Sequence, residues 1–209
     1  MERLFRVSRR RPHIIDMTIF HSSDPDVTGY RVRASTNFDV AFTDIFDTNK
    51  IGFLDSNVNR NVIDTQPING VRAVFDPDTY NGAAGISDGS SFWLQVVPLI
   101  GTTPQTPGAP TLVLPDFYHY GVLNVVIAGQ APTTELQLDL PTLMEDFRFV
   151  NEDTANTLRV GFEEGGPKHA VLPESENFMS ASGNAASLYI QADTAAIDFT
   201  MVTTLAFPR

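Results

Sequence analysis

Few residues in this chain combine in type and spacing to suggest a reaction. Gly85-Ile86-Ser87-Asp88-Gly89 matches the G-x-S-x-G pattern of a nucleophile elbow, which would make Ser87 an acylating serine. That elbow needs a strand entering, a helix leaving, and an acid and then a histidine further along. Here Asn81-Gly82-Ala83-Ala84-Gly85 precedes and the β-like Phe92-Trp93-Leu94 follows, so Ser87 reads as part of a Gly/Ser-rich turn. His13, His21, His119 and His169 lack the HxH or HxxxH spacing that sets two imidazoles on one metal. Carboxylates recur in pairs: Asp24 with Asp26, Asp76 with Asp78, Glu145-Asp146, Glu152-Asp153 and Glu163-Glu164. Calcium binding or glycoside hydrolysis would use such pairs, but adjacent carboxylates on a strand face opposite sides, and no twelve-residue calcium loop occurs. Neither a P-loop nor a G-x-G-x-x-G is present. The expectation is a protein with no catalytic residues, no metal and no cofactor.

Composition points the same way. The chain has 209 residues, 42% of them hydrophobic and 19% charged, enough apolar material for folded cores. It contains no cysteine, so disulfides, thiol chemistry and cysteine-ligated zinc or iron–sulfur centres are excluded. No apolar run approaches the roughly 20 residues of a membrane span, and neither a span nor a secretory signal is expected.

The net charge of −11 is unevenly spread. Residues 1–33 carry seven arginines against four acids, whereas residues 34–209 carry seven basic against 21 acidic side chains. Arg3, Arg6, Arg9, Arg10 and Arg11 crowd the start of the chain, the density of an arm that meets an acidic surface. Five charges on an arm would bind nucleic acid weakly and the acidic remainder would repel it, so nucleic acid is disfavoured and a protein partner, such as a neighbouring copy's acidic face, is expected. Twelve arginines against two lysines suit ordered bidentate contacts with carboxylates.

The elements that would position these residues are strands. Period-two alternation marks Ile14–Phe20, Tyr30–Ala34, Phe38–Phe42, Val71–Phe75 and Phe92–Val96, separated by turn chemistry such as Asp24-Pro25-Asp26 and Asn69-Gly70. It resumes over Val122–Ala128, Glu135–Leu140, Phe147–Val150, Leu158–Phe162, Leu188–Ala192 and Ile197–Thr203. A short turn near Thr142–Asp146 is the best helical candidate. Five of fourteen prolines fall between Pro98 and Pro115, which reads as an interdomain linker. Thr43–Gln66, rich in Asp and Asn, reads as a long loop or extended excursion suited to partner contacts. Tyr118-His119-Tyr120 would be either a recognition patch or packing for the linker. The expected architecture is all-β: a basic arm at 1–12, a β-sandwich at 13–100, a Pro-rich linker at 101–116 and a small antiparallel β-sandwich at 117–209. Deleting an arm at 1–12 should leave both sandwiches folded.

Two resemblances add to this. Asp26-Val27-Thr28-Gly29-Tyr30-Arg31-Val32-Arg33, with Phe92-Trp93-Leu94-Gln95-Val96-Val97-Pro98 as a late strand, resembles fibronectin type III domains. The tryptophan those domains carry on the preceding strand is missing from Ile14–Phe20, and Thr43–Gln66 exceeds the usual connection. In the second half, Asn156–Phe162, Val171-Leu172-Pro173-Glu174-Ser175-Glu176, Leu188–Asp193 and Ile197–Thr204 resemble β-sandwich modules of tailed-bacteriophage virion proteins, of the capsid decoration and accessory kind. That resemblance covers about 50 residues of the chain. It implies a non-enzymatic virion protein, a capsid decoration or cement protein forming homo-oligomers and contacting the major capsid protein or other virion proteins, with Arg3, Arg6, Arg9, Arg10 and Arg11 as partner-binding residues. A head–tail connector, tail or baseplate component is the alternative within that class. A carbohydrate-binding module stacking sugars on Trp93, Tyr118 and Tyr120 is the alternative outside it.

Overall fold

The computed structural model describes residues 5–11, 14–50, 53–55, 60–62, 70–114, 122–140, 144–180 and 187–206. Their regular secondary structure is almost all strand, and the chain divides into two units, Met1–Asp116 and Phe117–Arg209. The described strands of the first unit are β1 (Phe5–Arg11), β2 (Ile14–Phe20), β3 (Gly29–Ser35), β4 (Thr43–Asn49), β5 (Phe53–Asp55), β6 (Arg60–Val62), β7 (Gly70–Phe75), β8 (Phe92–Ile100), β9 (Thr103–Pro104) and β10 (Thr111–Val113). One sheet runs β1-β2-β7-β5-β6, antiparallel except for the parallel pair β5 and β7. The other set runs β10-β8-β3-β4, antiparallel throughout, with β9 also pairing β8.

Alternation decides which face of each strand is buried. Ile15, Met17 and Ile19 of β2 and Val71, Ala73 and Phe75 of β7 turn inward, toward Tyr30, Val32 and Ala34 of β3 and Phe92, Leu94 and Val96 of β8. Each Val, Leu, Ile, Met or Phe among them contributes about 1.5–3 kcal/mol by leaving water. Outside this core, Arg72 donates Nε and Nη2 to the two oxygens of Asp16 at 2.9 and 2.6 Å, so the buried carboxylate on β2 is met by a bidentate partner. Gly29 is required by close approach: a Cβ there would lie 2.5 Å from the Thr48 carbonyl oxygen on β4.

The structure differs from the sequence expectation in four places. Residues 5–11 are not a free arm; they pair with β2 from Phe5 opposite Ile19 to Arg11 opposite Ile14, and Phe5 is 1% exposed in the core. Removing residues 1–12 therefore strips a strand and a core aromatic from the first unit. Residues 101–114 are not a spacer, because β9 and β10 both pair β8 and Thr111, Leu112 and Val113 are buried. Phe38–Phe42 is a turn region rather than a strand, with Phe38 packed edge-to-face on Trp93 at 5.4 Å between ring centroids. Met144–Asp146, part of the helical candidate, opens a strand instead.

The described strands of the second unit are β11 (Val122–Ala131), β12 (Leu136–Asp139), β13 (Met144–Asn151), β14 (Leu158–Gly161), β15 (His169–Val171), β16 (Ser175–Ser180), β17 (Ser187–Ala192) and β18 (Ile197–Ala206). They fall into two sets of four, ordered β11-β18-β13-β16 and β15-β14-β17-β12. Every connection but the one from β14 to β15 passes from one set to the other. Numbered from the start of the unit, the orders are 1-8-3-6 and 5-4-7-2, the connectivity of a jelly roll. Phe147, Phe149, Phe199, Met201, Val125 and Ile127 from the first set and Leu158, Val160, Leu188, Ile190 and Leu138 from the second are buried.

Two tyrosines are perturbed by this burial. Tyr30 is fully buried and its hydroxyl accepts a hydrogen bond from the Ser22 amide at 2.8 Å; burial pushes its ionisation up, and the hydrogen bond offsets part of the rise. Tyr189 on β17 is pushed up by burial and then by the charges of Glu164, Asp139 and Glu135. A raised folded-state value means stability that is complete below about pH 10 and lost as pH rises through the folded-state value. Spectrophotometric titration should accordingly show phenol ionisation above the ordinary range of about pH 10 that Tyr30→Phe and Tyr189→Phe each diminish. In urea unfolding followed at the single tryptophan, Trp93, Phe5→Ala should cost the first unit about 3–5 kcal/mol.

Candidate functional site

Of the residues expected to bind a partner, Arg3 lies outside the described residues. Arg6, Arg9, Arg10 and Arg11 sit on β1, whose backbone is described while their side chains lie outside the described residues. Among the described strands β1 ends its sheet with β2 as its neighbour, so the basic run occupies a strand edge, and its register slips by one residue between Arg9 and Arg11. A cationic edge resists indiscriminate pairing with other edges while presenting charge to an acidic surface.

The Asx-rich excursion contains a second charged feature. Asp44 and Asp47 are three residues apart, which on a regular strand would put them on opposite faces. A bulge in the pairing of β3 with β4, between Val32 and Arg33, brings both to the face carrying Arg31 and Arg33. Arg31 donates Nε and Nη2 to Asp47 at 2.8 Å each, and its Nη1 lies 3.1 Å from Asp44. Arg33 Nη2 donates to the Phe42 carbonyl at 2.8 Å, while its Nε lies 2.9 Å from Asp44 without the alignment of a hydrogen bond. Hydrogen bonds to Asp47 and its charge hold Arg31 above its ordinary ionisation range. These exposed pairs add little stability each and leave both arginines engaged within the chain. Residues 51–52, 56–59 and 63–69 of the excursion lie outside the described residues.

The third feature was not legible as a site. On the outward face of β11-β18-β13-β16, register aligns Val126, Val202, Arg148 and Phe178 in one row and Ala128, Thr200, Val150 and Glu176 in the next. Val126 is 61% exposed and Phe178 69% exposed, the two largest exposures among the described large hydrophobics. Arg148 lies over the Phe178 ring, 5.9 Å from its centroid, and pairs with Glu176. Carboxylates surround this apolar centre: Asp146, Glu152, Glu176 and Asp198 are all exposed. Thr200 donates to Glu152 at 2.6 Å and Gln130 to Asp198 at 3.3 Å. The signal available in the sequence was the alternation Val126-Ile127-Ala128 against Met201-Val202, where both phases are apolar and one must face outward.

The remaining candidates take structural positions. Ser87 Oγ is 2.9 Å from Ser90 Oγ; a helical turn, Asn81–Ala84, precedes it and β8 follows. Gly85, at φ 68°, occupies the left-handed conformation that ends that turn. Trp93 is 3% exposed, so its ring is not presented for sugar stacking, and Tyr118-His119-Tyr120 lies outside the described residues. Asp24 accepts from the Asp26 amide and Asp76 from the Asp78 amide, each at 2.9 Å, the bonds of Asx turns. Asp153 accepts from the amides of Ala155 and Asn156 at 2.7 and 2.6 Å, which hold its carboxyl below its ordinary value. Asp139, buried on β12, accepts from Ser187 Oγ at 2.8 Å and Gln137 Nε2 at 3.0 Å. A serine that donates to a carboxylate, with no imidazole in that set, is anchored rather than activated.

No protein-family model matches this chain, and a search of curated proteins finds no match. The site must therefore be judged on its own chemistry, which is that of surfaces: a cationic strand edge and an apolar sheet face ringed by acid. Because the face lies outside the core, Phe178→Ser and Val126→Ser should each shift the unfolding free energy by no more than about 1 kcal/mol in urea titrations.

Proposed function

We propose that the chain is a non-enzymatic structural protein of a tailed-phage virion, acting as a capsid decoration or cement protein that binds the major capsid lattice in many copies. The observation that carries this reading is the strand order of the second unit, 1-8-3-6 and 5-4-7-2, an architecture that viral capsid domains use. Its strands fall on the segments that resemble phage accessory modules: Leu158–Gly161, Ser187–Ala192 and Ile197–Ala206. The fibronectin-like reading of the first unit draws support from β1, β2 and β7 forming one sheet against β4, β3, β8 and β10. Fold alone does not assign function, and the surfaces add to the case: charge and exposed apolar area are arranged on strand edges and sheet faces, the parts that tiled proteins bury against neighbours. Arg3, Arg6, Arg9, Arg10 and Arg11 serve as partner contacts in this reading, the last four of them belonging to the edge strand β1.

A head–tail connector or tail component is the neighbouring reading, and copy number separates the two. Quantitative mass spectrometry of purified particles, normalised to the major capsid protein, should give a ratio near one or a simple fraction of one. A ratio of a few percent would replace decoration with a connector or tail role, and absence from the particle would overturn the virion assignment altogether.

A further inference from the structure

We infer that the outward face of β11-β18-β13-β16 is a docking site for a second copy of this chain, which it engages head to tail through the arginine-bearing edge strand β1. Three observations select that occupant. The first is charge. Among the described residues the face holds Asp146, Glu152, Glu176 and Asp198, and the cation its four strands contribute is Arg148, which pairs with Glu176. The second unit as a whole carries twelve acidic and four basic residues. Two copies of this face would repel one another, which rules out a symmetric face-to-face dimer; nucleic acid and anionic membrane are repelled for the same reason. What complements the face is a cationic surface, and in this chain cations are densest in residues 3–11.

The second observation is polarity. An apolar centre of Val126, Val202, Val150 and Phe178 inside a charged rim is the anatomy of a protein-binding patch. The third is size. A seven-residue strand such as β1 spans about 23 Å, and the face is about 14 Å across and about 20–33 Å along its six- to ten-residue strands, so β1 fits along it. A footprint of about 23 by about 14 Å is roughly 320 Å² on the face, less than half of the about 800 Å² per partner of a standard interface. The contact is thus weak between isolated copies and gains strength where many copies are held side by side. This inference rests on the reading of the chain as a protein used in many copies. It is tested on the purified chain alone, so that self-association and incorporation into particles can succeed or fail separately.

The experiment is sedimentation velocity on the full chain over a concentration series, at 0.1 M and 1 M salt, between which the screening length falls from about 10 to about 3 Å. The weight-average mass should rise above 23.0 kDa with concentration in low salt and return to monomer in high salt. Two variants are then compared: Arg9→Glu with Arg10→Glu on the edge strand, and Val126→Asp with Phe178→Asp on the face. Each alone should be monomeric. Mixed, they should form a 1:1 pair and nothing larger, since one retains only the face and the other only the strand. Trp93 emission and thermal unfolding confirm folding, and Arg9→Gln with Arg10→Gln replaces the charge reversal if that variant does not fold. A constant monomer mass for the parent chain, association that survives either variant, or a mixture that forms no pair would each overturn the proposal.

Discussion

Each unit is held together by apolar faces pressed between strand layers, and with no cysteine to cross-link them this burial carries the fold. The strictness of period two follows from it: once Ile15, Met17 and Ile19 face inward, Asp16 and Thr18 must face away, and what they meet is settled by their neighbours on β7. The pairing of Asp16 with Arg72 shows the cost of an exception. A carboxylate that is nearly inaccessible to water can be tolerated only with its charge matched and its oxygens bonded, which the bidentate guanidinium does. Removing one partner would leave the other stranded, a larger penalty than the pair's own contribution.

The same constraint places all of the chemistry available for recognition on outward faces and open edges. In the first unit the outward charges of β3 and β4 are consumed internally, since Arg31 and Arg33 are gripped by Asp44, Asp47 and the Phe42 carbonyl. In the second unit the outward face of β11-β18-β13-β16 remains a mixture of exposed valines, an exposed phenylalanine and carboxylates. Its one arginine is stacked and paired. The molecule therefore presents two surfaces of opposite character, a basic edge and an acidic apolar face.

Strands with a simple alternation were legible in the sequence: β2, β3, β7, β8, β17 and β18 lie where the pattern put them, within a few residues. The all-β class follows from them. β4 was hidden because a bulge sets Asp44 and Asp47 on one face, which breaks the alternation a regular strand would show. β1 was hidden because its arginines dominate the composition of a stretch whose inward signal is only Phe5 and Val7. β16 was hidden because its largest apolar side chain, Phe178, points outward. The proline-rich stretch misled for a different reason. Pro104 closes β9, while Pro98 lies within β8 opposite Tyr30 and its carbonyl still accepts a hydrogen bond from the Gln105 amide, so these prolines do not prevent pairing. The basic run could be read directly; the acidic apolar face could not, because its residues come from four segments that only register brings together.

The position of β18 has a consequence for how the second unit comes into being. It lies between β11 and β13, so the strand synthesised after the other three of its sheet is an interior member of that sheet, and its partner β11 is the first of the four. Until residues near Met201 are available, β11 and β13 have no common neighbour, and the hydrophobic sides of both remain uncovered in the growing chain. Closure waits on contacts between residues 66 to 84 positions apart, a long loop to close and hence a slow, all-or-none event. The strands of the first unit are complete by Val113, well before that moment. During synthesis the chain must therefore carry an unfinished jelly roll behind already available first-unit strands, and this interval is when it is most exposed to wrong partners.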